Sequence, residues 1–118
     1  MAIVGVGIDL CAIERWEQML QRRPALLGRI LNPDEAATSP ASQAARWAAK
    51  EALAKALGAP AGMAWLDSEV VRSPSGAPRL EVRGSVAARV AELGIETIHL
   101  SMSHDGGMAT AIVICEGP

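Results

Sequence analysis

The chain has 118 residues, half of them apolar, with a formal net charge of -2. That length suits one domain over residues 1–118 and leaves no room for a second. A lone chain of this size buries only about two-thirds of its unfolded surface, so the apolar excess points to an interface with other copies. Three Trp and no Tyr or Phe leave few platforms for stacking bases, and a pI near 5.6 disfavours duplex binding, so no nucleic-acid partner is expected. No apolar run approaches the ~20 residues that cross a bilayer, so no membrane partner is expected either. Cys11 and Cys115 lack Cys-x-x-Cys spacing and no basic, apolar leader precedes the first strand-like run, which fits a cytoplasmic protein with reduced thiols.

The opening run from Ala2 to Ile8 is β-branched and apolar and reads as a buried strand, with Asp9 at its end. From Ile13 to Arg23 the period becomes helical: Ile13, Trp16 and Leu20 share one face, while Arg15, Met19 and Arg22 fall opposite, and Pro24 closes the helix. Residues Ala25 to Leu31 form a short apolar helical turn. Asn32-Pro33-Asp34-Glu35 carries a cap residue, Pro at the first position and acids in the first turn, and so starts another helix. Ser39-Pro40 repeats the start signal for an Ala-rich helix to Leu57, stopped by Gly58.

Ala64 to Arg72 and Arg79 to Arg83 read as strands around a Ser/Pro/Gly turn. Ser85 caps a helix that ends at Leu93-Gly94. Thr97 to Ser103 and Met108 to Cys115 close the chain as two strands joined around Asp105-Gly106-Gly107. The order β-α-α-α-β-β-α-β-β predicts an α+β fold, a mostly antiparallel sheet packed with one long helix.

Several motifs invite chemistry. Gly5-Val6-Gly7 lacks the third glycine of a dinucleotide fingerprint and opens no helix; glycines that let another backbone or a ligand approach the strand explain it better. Ser103-His104-Asp105 has the letters of a catalytic triad, but strand neighbours point to opposite faces. His104, beside a Gly-rich turn, is placed either to touch a ligand or as a structural histidine, and His99 reads as structural. In the long helix, a wheel puts Trp47, Glu51 and Lys55 on one side and Arg46, Lys50, Leu53 and Leu57 opposite. Glu51 and Lys55 are then either an exposed i,i+4 pair or part of a site. Asp9 and Glu51 together suit Mg2+, which takes one or two carboxylates and completes its octahedron with water and substrate phosphates; Arg46, Lys50 and Lys55 would supply charge for those phosphates.

Taken together, these segments are similar to a known family over essentially the whole chain. Gly5-Val6-Gly7-Ile8-Asp9-Leu10, Arg15, Ile30-Leu31 with Glu35, Arg46-Trp47-Ala48-Ala49-Lys50-Glu51-Ala52-Leu53-Ala54-Lys55-Ala56, Gly62-Met63-Ala64-Trp65, Gly76-Ala77-Pro78 and Ser101-Met102-Ser103-His104-Asp105 resemble the holo-[acyl-carrier-protein] synthases, the small trimeric class of 4′-phosphopantetheinyl transferases. The resemblance implies transfer of the 4′-phosphopantetheine arm of coenzyme A to a serine of apo-acyl carrier protein, in support of fatty acid biosynthesis. It implies Mg2+ on Asp9 and Glu51, and catalytic roles for Asp9, Glu51 and Lys55. It further implies contacts to coenzyme A from Arg46, Lys50, Lys55, Ser103 and His104, and a homotrimer with sites between subunits. The base that takes the serine proton stays open among Glu51, Glu35 and a water on the metal. After Gly58 the chain has Ala59-Pro60-Ala61 where the family often has Gly-Thr-Gly.

The stretch from Arg15 to Ile30 carries Arg15, Arg22, Arg23 and Arg29 against one acid, Glu17, within a chain of net charge -2. Acyl carrier proteins are acidic, so this surface, with Met19 among its arginines, is the expected carrier-docking face. Two other readings are a docking module without turnover, which has no need of both Asp9 and Glu51, and a small-molecule phosphotransferase, which leaves the cationic helix unexplained.

Overall fold

The computed structural model describes residues 1–118. In chain order the elements are β1 (Ala2–Ala12), α1 (Ile13–Arg22), α2 (Leu26–Ile30), α3 (Pro33–Ala36), α4 (Pro40–Ala56), a 3-10 turn (Trp65–Asp67), β2 (Ser68–Arg72), β3 (Pro78–Val82), α5 (Gly84–Glu92), β4 (Thr97–Asp105) and β5 (Met108–Gly117). Two antiparallel sheets form: a three-stranded one in the order β1-β5-β4, and the β2-β3 hairpin. The expected α+β class and antiparallel pairing are both present.

The long helix α4 lies on one face of the larger sheet, and glycine and alanine set how closely. A Cβ on Gly5 would stand 1.9 Å from the Ala56 carbonyl oxygen, and one on Gly7 1.8 Å from that of Ala52. The backbone that approaches these glycines is therefore the helix, and Ala48, Ala49, Ala52 and Ala56 pack against Ala111, Val113 and Cys115 of β5 to form the main core. A second cluster, built on Trp16, Ile30, Leu31, Ala44, Ala45 and Ala109, seats α1 and α2 beside the N-terminal half of α4. Trp16 Nε1 donates to Gln43 Oε1 at 3.0 Å, so this buried indole keeps a polar partner.

Local start and stop signals give α4 its ends. Ser39 Oγ accepts from the Ser42 N–H at 3.3 Å, Pro40 occupies the first turn, and Gly58 leaves the helix at φ +81°. Asn32 and Glu35 form a capping box on α3.

Three expectations need correction. The strand expected from Ala64 begins only at Ser68, because Trp65–Asp67 turns instead, with Asp67 N–H bonded to Ala64 O at 3.0 Å. Ser85 does not cap α5; Arg83 is the cap, and the Asp67 carboxylate, distant in sequence, accepts from the Ser85 N–H at 2.9 Å and hydroxyl at 2.7 Å. Finally, β1 is buried on one face only. Ile3, Val6, Ile8 and Leu10 are 65%, 53%, 60% and 65% exposed on the side away from α4, continuous with Ile112 of β5.

Candidate active site

Strand alternation decides which β1 side chains meet α4. Gly5, Gly7, Asp9 and Cys11 face the helix, paired on β5 with Cys115, Val113, Ala111 and Ala109, while β4 continues the last two rows with Met102 and His104. Asp9 thus emerges from a glycine-lined strand onto the helix just where Glu51 and Lys55 lie. Lys55 Nζ donates to Asp9 Oδ1 and to the Ile8 carbonyl, both at 2.9 Å. Thr110 Oγ1 donates to the Asp9 carbonyl at 2.9 Å and pins the backbone. The other oxygen, Asp9 Oδ2, is buried and has no partner.

Glu51 is half-buried against Asp9. Burial first, then the adjacent Asp9 carboxylate, push the Glu51 carboxyl up to about 8, while Lys55 pulls it back. Two carboxyls forced together, one with an orphaned buried oxygen, would suit a hard divalent cation. No group of three His, Cys, Asp or Glu side chains assembles anywhere in the chain, so the donor set suits an ion that takes two carboxylates and leaves most positions for water and phosphate. Cys11, next on the same face, has its thiol pushed up by burial and then by Glu51 and Asp9, so it is a weak nucleophile.

Two cavities flank this end of the sheet. One, of about 350 Å3, is lined by Arg46, Arg72, Ser103 and His104 with Ser42, Ala45, Pro78 and Met102. Arg46 is nearly buried, and its guanidinium is held below its ordinary range by desolvation and then by Arg72, while Glu35 acts the other way. Two cations facing one hollow make an anion site. The other cavity, of about 450 Å3, lies between α1 and α4 and brings Arg15, Arg22 and Arg23 together over Trp16, Met19, Leu26, Trp47 and the Cys11 floor.

The chain and its fold are similar to known proteins. Residues 5–113 match the model of the 4′-phosphopantetheinyl transferase superfamily. The chain belongs to that superfamily. It is 55% identical, over 123 residues, to the holo-[acyl-carrier-protein] synthase of Streptomyces coelicolor, covering 99% of this chain and all of that one. The crystal structure of Helicobacter pylori holo-[acyl-carrier-protein] synthase in complex with coenzyme A is similar at TM-score 0.83 and 32% identity, covering 94% of this chain and 99% of that one. The synthase from Bacillus anthracis in complex with CoA (3′,5′-ADP) is similar at TM-score 0.78 and 32% identity, covering 98% of each chain.

Asp9, Glu51 and Lys55 come together, and Arg46, Ser103 and His104 line one cavity. Lys50 does not join them. It is wholly buried and paired with Glu35 at 2.8 Å, so its assignment to coenzyme A is withdrawn. Glu35 is removed as a base, because both its oxygens are engaged by Lys50, Asn32 and the Val70 N–H away from solvent. Met19 is half-buried and packs against the Trp16 cluster, so intramolecular packing accounts for it without an outside partner. Arg29, on α2, is exposed but does not line the groove of the other arginines. Sequence reasoning missed Arg72 and Thr110. An arginine ending a strand before Ser73-Pro74 carries no signal of its own, and Thr110, opposite Leu10, reaches the Asp9 carbonyl only through the β1–β5 pairing. His99 lies on the outward face of β4, paired with Glu116.

Proposed function

We propose that residues 1–118 act as one transferase domain that moves the 4′-phosphopantetheine arm of coenzyme A onto a serine hydroxyl of apo-acyl carrier protein, serving fatty acid biosynthesis in the cytoplasm. The serine oxygen bonds to the phosphorus bearing the pantetheine, the bond from that phosphorus to the bridging oxygen breaks, and adenosine 3′,5′-bisphosphate leaves as the serine proton is taken up. The observation that carries the reading is the Asp9–Glu51 pair with Lys55, set between a two-arginine anion cavity and a basic, apolar groove.

Asp9 and Glu51 would hold Mg2+; when bound, it neutralises the pyrophosphate and the charge on the departing oxygen. Lys55 supplies a positive charge fixed by the Ile8 carbonyl and Asp9, already placed where phosphate charge accumulates. Arg46, Arg72, Ser103 and His104 take the nucleotide end. Arg15, Arg22 and Arg23 receive the acidic carrier, with Arg29 contributing long-range attraction only. Charge complementarity supports this assignment; the positioning of the serine then comes from docking rather than from any group that reacts with it.

The active form is a homotrimer. The bare row of Ile3, Val6, Ile8 and Leu10 supports burial against other copies, since isolated soluble domains rarely leave so continuous a patch uncovered. Incubating the protein with apo-carrier, coenzyme A and Mg2+ tests the function: the carrier should gain the mass of one phosphopantetheine arm, and a carrier of unchanged mass refutes the reading.

A further inference from the structure

A buried ionic junction lies directly behind the anion cavity and has no part in the site just described. Lys50 and Glu35 side chains are both fully withdrawn from solvent and meet at 2.8 Å. Lys50 Nζ also donates to the carbonyls of Ile30 at 2.8 Å and Trp65 at 3.1 Å, which uses all three of its protons. Glu35 Oε1 further accepts from the Asn32 N–H at 2.8 Å and its Nδ2 at 3.1 Å, and Oε2 accepts from the Val70 N–H at 2.8 Å. Asn32 Nδ2 reaches on to the Ser68 carbonyl at 3.0 Å. One ion pair therefore ties the end of α2, α3, the middle of α4, the 3-10 turn and β2.

Stability alone does not explain such a pair. Desolvating two charges offsets most of their attraction, and apolar replacements of similar volume are often as stable or more so; the better-attested role of buried charge is to fix registry. The positions tied here are specific. Arg46 stands one helical turn before Lys50 on the same side of α4, and Arg72 stands two residues after Val70 on the same face of β2. These are the two arginines of the anion cavity. They repel each other, and Arg46 is weakly held, with one hydrogen bond to the Ser42 carbonyl at 3.2 Å and a buried Nε without a partner. Between α4 and β2, the junction adds a directional tie to the apolar contact of Val70 with the α4 core, and both oppose that repulsion.

We propose that the Glu35–Lys50 pair is a positioning device for the transfer reaction: it sets the separation of Arg46 and Arg72, and so the affinity for the nucleotide end of coenzyme A, without touching substrate. The inference rests on the transferase reading and adds two positioning residues to it. The double variant Glu35→Gln with Lys50→Met removes both charges, keeps the volumes and strands no unpaired ion. Once circular dichroism shows it folded, calorimetry with adenosine 3′,5′-bisphosphate should give about ten-fold weaker binding, because small misplacements of clamping groups are costly. The KM for coenzyme A should rise to match, with kcat and the KM for carrier unchanged, a split that general loosening would not produce. Unaltered nucleotide affinity in the folded double variant overturns the proposal. If that variant does not fold, Asn32→Ala removes the amide linking Glu35 to Ser68 together with the α3 cap and leaves both charges paired, and should weaken nucleotide binding in the same direction; unchanged affinity there overturns the proposal equally. A parent protein that binds the nucleotide but transfers nothing to apo-carrier sinks the transferase reading, while the binding comparison still decides the positioning role.

Discussion

At the scale of single residues, the site depends on one unsatisfied oxygen and one displaced carboxyl. Asp9 Oδ2 is buried with no partner and Glu51 is held close to Asp9, so a cation bound there would relieve two costs together. Asp9→Ala or Glu51→Ala should therefore lower kcat by about 100-fold or more at saturating substrates, with the melting temperature retained, since neither carboxylate supports the core. Steady-state rates across a Mg2+ titration check this, and a variant running at the parent rate under limiting Mg2+ rules out the metal assignment. Gly7 carries a different demand. Its added Cβ would stand 1.8 Å from the Ala52 carbonyl oxygen, with helix backbone rather than a flexible side chain as the obstacle. Gly7→Ala should cost about 3 kcal/mol or more in urea unfolding, and a loss under half that size would mean that α4 lifts easily from the sheet.

At the scale of elements, α1 combines two faces with separate tasks. Trp16 anchors it through the core and through Gln43, while Arg15 and Arg22 stand exposed over the groove. Replacing both with Glu should raise the KM for carrier by about ten-fold and reverse the salt dependence of association, leaving the KM for coenzyme A unchanged. Kinetics at two ionic strengths test this, and unaltered carrier kinetics would move the docking surface elsewhere. The start of α5 offers a test by pH. Hydrogen bonds from the Ser85 hydroxyl and N–H hold the Asp67 carboxyl below its ordinary range. Because its folded value lies below the unfolded one, the native state binds fewer protons there than the unfolded chain. Its contribution is complete above the unfolded value of about 3.9 and is lost as pH falls through the folded value. Urea midpoints of parent and Asp67→Asn should thus differ at pH 7 and draw together as the pH falls below the ordinary carboxylate range; a difference undiminished in acid contradicts the ionic tie.

At the scale of the whole molecule, the larger sheet has one face under α4 and the other bare. The bare face carries the strand residues Ile3, Val6, Ile8 and Leu10, whose exposure supports the trimer proposed above. Val6→Glu with Ile8→Glu places two charges in that contact without touching the covered face, so the assembly should fall apart while the chain keeps its fold. Light scattering at micromolar concentration should return three chain masses for the parent and one for the variant; a monomeric parent sinks the proposal.

Much of this architecture is written in local signals. Pro24, Ser39-Pro40 and Gly58 bound their helices because capping, a missing N–H and a left-handed backbone act within a few residues. The period of two in β4 and β5 and the helical period of α1 likewise depend on neighbours along the chain alone. The wheel for α4 also separated Lys50 from Glu51 correctly, since helical angles are a property of the helix itself. What surrounds each side of that helix is not. That Lys50 meets Glu35, that Arg72 joins Arg46, and that Asp67 rather than a neighbour of Ser85 holds the start of α5 each depend on segments brought together across the fold. The same holds for β1, where Gly5, Gly7 and Asp9 face the helix and the apolar row does not. Residue types and periods determined the elements and the acids that could share a cation. Which acids lie together, which lysine is buried and which face stays uncovered were decided by tertiary packing, because burial and Coulomb interaction depend on distance in space rather than along the chain.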